Sequence, residues 1–275
     1  MAWAASMDIV QISDFHCVAD GERAYGRVDT QAMLGRAVAV LNGLTPRPDL
    51  VIATGDLVQA GRADEYAALR SILAALEIPL LPCLGNHDAR GPFKAAFADL
   101  GLSFGPEPFA QYAVDFPALR IVVLDTVTEG SDAASFCAAR ASWLETALAQ
   151  DDRPTLIVTH HPPFLTGVPW MDPDTLDWTG GLEQALAGRG SQIIGVISGH
   201  IHRAIHTRFA QIPASSCPST AHQVAFDLTA RRPVLSLEPP GFQLHRWTGG
   251  QLLTHTVSFD GLQTTFSPPG AEPHR

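Results

Sequence analysis

Between residues 8 and 200 the chain is punctuated by short apolar runs, and each run stops at a polar cluster. Residues 8–12 lead into Ser13-Asp14-Phe15-His16, and 50–53 into Thr54-Gly55-Asp56. Residues 79–84 lead into Gly85-Asn86-His87-Asp88, and 120–124 into Asp125. Residues 155–158 lead into Thr159-His160-His161, and 193–197 into Ser198-Gly199-His200. Continuous apolar runs this short suit strands buried on both faces. Between them the spacing turns helical. Residues 29–44 set Ala32, Met33, Ala37, Val40, Leu41 and Leu44 along one stripe, and 64–76 do the same with Ala67, Ala68, Ile72, Ala75 and Leu76. Further helices are predicted at 91–100, 138–150 and 180–188. Strand and helix in alternation predict an α/β layered fold. In such folds ligands sit beyond the carboxyl ends of the strands, where the polar clusters fall.

Past residue 204 the helical period fades. Short β-like pieces are predicted at 204–209, 211–216, 222–228 and 234–238, with a hairpin over 242–258 turning at Thr248-Gly249-Gly250. This half is expected to be mostly antiparallel sheet packed on the first. Phe242, Leu244, Trp247, Leu252, Leu253 and Phe259 alternate along the hairpin as a candidate contact face for a homo-oligomer. The expected organisation is a leader over 1–7, a main domain over 8–230, a β extension over 231–266 and a flexible tail over 267–275.

Composition narrows the function classes. With 46% hydrophobic and 17% charged residues among 275, the chain has material for a core and is no disordered polyelectrolyte. A net charge of −10 argues against nucleic-acid polymers and polybasic membrane contact. No run approaches the roughly 20 apolar residues of a membrane span, and the first residues carry no basic, signal-like segment. The four cysteines, Cys17, Cys83, Cys137 and Cys217, form no C-x-x-C pair. A cytoplasmic protein is expected.

The candidate chemistry lies in the histidines, eleven in an acidic chain. In order the chain presents Asp14-x-His16, Gly55-Asp56, Gly85-Asn86-His87-Asp88, His160-His161-Pro162-Pro163 and Gly199-His200-x-His202. On an extended segment, residues two apart face the same way, so D-x-H and H-x-H pairs can grip one ion or straddle two. Carboxylate, imidazole and amide together suit Fe, Mn, Zn or Co better than Ca or a thiolate-bound metal. Each piece alone has an ordinary structural explanation; all five, in order and each after a strand, do not. His206, His245, His255 and His274 are assigned to the surface or to packing.

This ordered set resembles that of the calcineurin-like metallophosphoesterases, over roughly residues 8 to 230. More narrowly it resembles the bacterial class III cyclic nucleotide phosphodiesterases and the related glycerophosphodiesterases. The supporting strings are Ala24-Tyr25-Gly26-Arg27-Val28-Asp29, Gly61-Arg62-Ala63-Asp64-Glu65-Tyr66, Met171-Asp172-Pro173 and Ala221-His222-Gln223-Val224. The resemblance implies a four-layer αββα sandwich and two divalent transition-metal ions. It implies that Asp14, His16 and His202 hold one ion, that Asn86, His160 and His200 hold the other, and that Asp56 bridges them. It implies that His87 contacts the phosphate or leaving group and that Asp88 orients His87. His161, His222 and Tyr25 are candidate substrate contacts, as Asn86 is besides its metal role; Arg62 and Arg203 are weaker ones. The implied activity is hydrolysis of small phosphodiesters such as 3′,5′-cyclic nucleotides. Glycerophosphodiesters, or a broad range of mono- and diesters, are the alternatives. A scaffold that has lost catalysis is the reading from another class, and the filled ligand positions argue against it.

Overall fold

The structure, a computed structural model, describes residues 6–260 and 262. The expected tail over 267–275, His274 and most of the expected leader lie outside the described residues. Strand β1 (Met7–Ile12) starts the fold, followed by α1 (Thr30–Asn42), β2 (Leu50–Ala53), α2 (Ala63–Leu73), β3 (Leu80–Pro82) and α3 (Arg90–Ala96). Then come β4 (Tyr112–Asp115), β5 (Arg120–Val123), the small hairpin β6 (Val127–Thr128) and β7 (Ser131–Ala134), α4 (Ala138–Leu148) and β8 (Thr155–Val158). After α5 (Gly180–Leu186) the chain is almost all strand. It forms β9 (Ile193–Ser198), β10 (Ile205–Phe209), β11 (Ile212–Ser216), β12 (Gln223–Val224), β13 (Leu235–Ser236), β14 (Gly241–Trp247) and β15 (Leu252–Ser258).

Two sheets stack face to face. One has the order β15-β14-β1-β2-β3, the other β10-β11-β9-β8-β5-β4. The parallel pairs β1–β2, β2–β3, β5–β8 and β8–β9 form the centres. Alternate residues of each apolar run serve two layers, which is why the runs read as continuous. Ile9, Leu50, Ile52, Ile121, Val123, Leu156 and Val158 meet between the sheets. Val10, Ile12, Val51 and Ala53 face the helices α1 and α2, while Val122, Ile157 and Val196 face α4 and α5. The result is the αββα sandwich that the resemblance implies.

The helices sit where the periodicity put them but are turned about their axes. In α1 the buried stripe is Leu34, Ala37, Val38 and Leu41, and Ala32 is exposed. In α2 it is Tyr66, Ala68, Leu69 and Leu73, while Ala67 is exposed and Ala75 lies past the helix end, also exposed. The larger side chains remove more apolar area from water, so they set the rotation. Asp29 caps α1, its carboxylate accepting from the Ala32 N–H at 3.1 Å.

The C-terminal hairpin is no appendage. β14 pairs antiparallel with β1, from Met7 against Trp247 to Gln11 against Gln243. This corrects the expected contact face: Phe242, Trp247 and Phe259 are buried in the chain's own core, Leu244 and Leu252 are half-buried, and only Leu253 of the six is exposed. The second half is mostly antiparallel as expected, with β11 alone running parallel to β9.

The same pairing sets His245 beside Ile9, fully buried between the sheets. Its Nε2 lies 2.9 Å from Gln11 Oε1 and its Nδ1 2.9 Å from Thr254 Oγ1. Burial drives its pKa down to about 3. A depressed histidine contributes stability that is complete above the unfolded value of about 6.5 and is lost as pH falls toward the folded value. Between about pH 7 and about pH 5 this site alone should cost the wild type on the order of 2 kcal/mol. Urea unfolding of His245→Gln at both pH values is expected to show that much less acid sensitivity; equal slopes in the two proteins would contradict it.

A candidate metal centre at the strand ends

The polar clusters meet because their strands are neighbours. Those following β1, β2 and β3 come from the first sheet, and those following β8 and β9 from the second. Backbone hydrogen bonds fasten loop to loop: Asp14 N–H to Gly55 O at 3.0 Å, His16 N–H to Asp56 O at 2.9 Å, and Gly199 N–H to His160 O at 3.0 Å. Close approach demands glycine at two points. A Cβ on Gly85 would collide with the Asp56 backbone nitrogen, and one on Gly199 with the Ser13 hydroxyl.

The D-x-H and H-x-H pairs do not converge by lying on extended chain. Asp14, His16, Asp56, His200 and His202 all have positive φ, between 46° and 69°. Non-glycine residues are rare there, and the local cost is tolerated when surrounding contacts over-determine the loop. The interlocked hydrogen bonds supply that constraint and turn the side chains inward.

The inward groups form two adjoining sets. In one, His16 Nε2 lies 3.1 Å from His202 Nε2, and His202 Nε2 lies 3.5 Å from Asp14 Oδ1. In the other, Asn86 Oδ1 lies 2.9 Å from His160 Nε2 and 3.0 Å from His200 Nδ1. Asp56 stands between them, with Oδ2 3.7 Å from His16 Nε2 and Oδ1 3.4 Å from His160 Nε2. Carbonyls fix the far side of two rings: Thr54 O takes His160 Nδ1 at 2.8 Å, and His222 O takes His202 Nδ1 at 2.8 Å. Such bonds orient an imidazole and leave its other nitrogen free as a ligand.

Electrostatics agree with a cation-binding role. Burial holds His16 well below its ordinary value and takes His200 to about 3 and His202 to about 4, so their lone pairs are available. Burial raises Asp14 to about 7, and its Oδ2 has no hydrogen-bond partner. Burial would raise Asp56 too, but His160, His87 and His16 outweigh it and keep the carboxylate ionised. The opposite balance lifts His160 to about 9 against its own burial, so Asp56 and Asp14 hold a proton on this ring that a bound cation would displace. Facing imidazole nitrogens and an orphaned buried carboxylate oxygen fit a site built for divalent ions. Among the described residues, Asp14, Asp56 and His160 offer donor atoms all within 4.8 Å of one another, as do His16, His202 and His222.

A cleft of about 270 Å³ opens above these groups, lined also by His87, Tyr25, His222, Trp170 and Asp132. The His87 ring is held by Nδ1 at 2.7 Å from Gln59 O. Asp88 does not orient it. Its carboxylate accepts from the backbone N–H groups of Gly85, Leu57 and Val58 and from the Tyr66 hydroxyl at 2.8 Å. Four donors already converge on that carboxylate, so it clamps the Asp56 loop to the His87 loop. His222 faces the cleft with both ring nitrogens buried and unpartnered. Tyr25, half exposed at the rim, stands edge-on to it at 5.2 Å. His161 lies instead in a neighbouring pocket of about 440 Å³, its Nδ1 2.8 Å from Thr126 Oγ1. Arg62 is paired with Glu22 and Asp64, and Arg203 with Glu238, and neither lines the cleft. Two contacts carry no motif and escape sequence reasoning. Gln59 Oε1 lies 3.0 Å from His16 Nδ1, and Asp132 Oδ1 accepts from Asn86 Nδ2 at 3.1 Å.

Residues 7–204 match the model of a family described as calcineurin-like phosphoesterase. The chain is 34% identical over 254 residues to the glycerophosphodiester phosphodiesterase GpdQ of Enterobacter lignolyticus, covering 92% of this chain and 91% of that one. It is 37% identical over 258 residues to a probable cyclic nucleotide phosphodiesterase of Rhodopseudomonas palustris, covering 92% and 93%. Among solved structures, the purple acid phosphatase PPD1 of yellow lupin superposes with a TM-score of 0.63 at 13% identity, over 93% of this chain and about half (54%) of the lupin chain. That last likeness is one of fold.

Proposed function

The chain belongs to the calcineurin-like phosphoesterase family, and from that premise we propose that it is a dinuclear metal-dependent phosphodiesterase acting on small diesters, 3′,5′-cyclic nucleotides foremost. One observation carries the reading: the donor atoms of Asp14, His16, Asp56, Asn86, His160, His200 and His202 gather in one place, and His16, Asp56, Asn86, His200 and His202 line the cleft above it. In the proposal Asp14, His16 and His202 would hold one ion, Asn86, His160 and His200 would hold the other, and Asp56 would serve both. Divalent ions held there supply Lewis acidity to the phosphoryl oxygens and lower the pKa of water.

The rest falls to the protein. Its carbonyls at Thr54 and His222 keep the ligand rings in register. Gln59 O holds the proton on His87 Nδ1, leaving Nε2 to hydrogen-bond the phosphate or, when protonated, to give its proton to the departing alkoxide. His222 and Tyr25 contact substrate at one side of the cleft. Trp170 and Met171 wall the other side and continue into the pocket with Phe164 and Trp178. Those flat, apolar walls suit a nucleoside better than glycerol, which favours cyclic nucleotides. The extent of similarity to GpdQ supports glycerophosphodiesters as the second reading.

The test is a panel after loading with Mn, Fe or Zn: cyclic AMP, a glycerophosphodiester and an aryl diester. A cyclic nucleotide kcat/KM about tenfold above that of the glycerophosphodiester, about 1.4 kcal/mol, is expected; the reverse order would install the second reading. A cytoplasmic location belongs to the same proposal, supported by four unpaired cysteines. No helix among the described residues is long and apolar enough to cross a membrane. A homo-oligomer, measurable by sedimentation, is also retained; exposed Phe226, Leu228 and Leu237 give it a surface that the hairpin does not.

A further inference from the structure

We propose that Asp132 determines specificity by charge: its carboxylate makes the cleft favour phosphodiester monoanions over phosphomonoester dianions. The inference rests on the diesterase reading above. Asp132 belongs to β7, in the exposed hairpin that stands over the centre, and it lines both the metal cleft and the adjoining pocket. Its Oδ1 accepts from Asn86 Nδ2 at 3.1 Å. That bond turns the amide so that Asn86 Oδ1 faces His160 and His200. A serine or threonine hydroxyl could also accept this bond, so positioning Asn86 does not require a full negative charge.

Among the described residues no guanidinium or ammonium group pairs with that charge. Among the described residues no lysine or arginine lines either the cleft or the pocket. The nearest acidic neighbour on the hairpin, Glu129, is paired with Arg90, and Arg90 and Arg140 are both engaged by Asp125. Asp132 has no such partner among the described residues. Sites for phosphate dianions recruit guanidinium or ammonium groups to the outer oxygens. This site offers an anion there instead. A diester carries one negative charge, whereas a monoester carries close to two above about pH 6. The second charge meets Asp132 across the cleft, where like charges at short range repel.

Two variants separate charge from positioning. Asp132→Asn keeps an oxygen acceptor for Asn86 and removes the charge; Asp132→Ala removes both. The substrates are an aryl diester and an aryl monoester with the same leaving group, compared in the metal-loaded protein. The ratio of diester to monoester kcat/KM is expected to fall about tenfold in both variants, with a further loss of kcat on both substrates in the alanine variant alone. Titration calorimetry with dimethyl phosphate and with inorganic phosphate measures the same discrimination without turnover. Ratios within about twofold of wild type in both assays would overturn the proposal. Absence of diester hydrolysis in the wild type would remove the diesterase reading, and the calorimetric ratio would still decide the role of Asp132.

Discussion

Asp56→Ala is expected to lower kcat/KM on a phosphodiester by about 10³-fold or more, about 4 kcal/mol, and to lower the bound metal with it. Asp56 is nearly inaccessible and lies between the two ligand sets, with one carboxylate oxygen toward His16 and the other toward His160. Its Oδ1 also accepts the His87 N–H at 2.8 Å, so the variant loosens the loop carrying the proposed acid. Several buried imidazoles would then face one another with less negative charge to draw a cation among them. Elemental analysis beside the rate measurement makes the result decisive. Full metal content in the alanine variant would show that Asp56 does not join the two sets.

His87→Ala is expected to behave differently: kcat falls about 10²-fold while metal content holds. His87 lines the cleft but stands outside both ligand sets as proposed, and its Nδ1 is occupied by a backbone carbonyl. Burial acts to lower its pKa, but Asp56 and the Gln59 carbonyl raise it above the ordinary histidine value, which favours the acid form. If its proton goes to the leaving oxygen, the loss must depend on that oxygen. A nitrophenolate departs without help, whereas an alkoxide does not. The variant should therefore be impaired about tenfold more on an alkyl diester than on a nitrophenyl diester. Equal impairment on both would assign His87 to phosphate binding alone, and loss of metal would make it a ligand.

The residues gathered at the cleft were legible because their chemistry is tied to type and order. A histidine or aspartate placed directly after a buried strand has few other uses when four more such places accompany it. The layers were legible for a related reason, since short runs apolar on both faces suit strands covered from both sides. What escaped was set by three-dimensional neighbours. Asp88 follows His87 in the chain, yet its carboxylate is claimed by the Asp56 loop and Tyr66. Gln59 and Asp132 touch the site through contacts that any polar side chain could make. The buried faces of α1 and α2 differ from the alanine stripes because alanine marks a stripe weakly, and Leu34 and Leu69 outweigh it. The hairpin over 242–258 looked exposed because nothing local reveals that β1 lacks a partner on one side.

That last pairing has a consequence for how the molecule comes into being. Met7 finds its partner in Trp247, and the intervening chain must be made first. At roughly 5–20 residues per second, an emerging β1 waits on the order of ten seconds or more with one edge unsatisfied. It can dock on β2 early, because a helix and a short connection bring β2 beside it. Its other side stays a row of free amides and carbonyls, the kind of edge that invites a neighbouring nascent chain. The loop bearing Asp14 and His16 springs from the end of that same strand. The first ligands translated are thus among those whose supporting sheet is completed last.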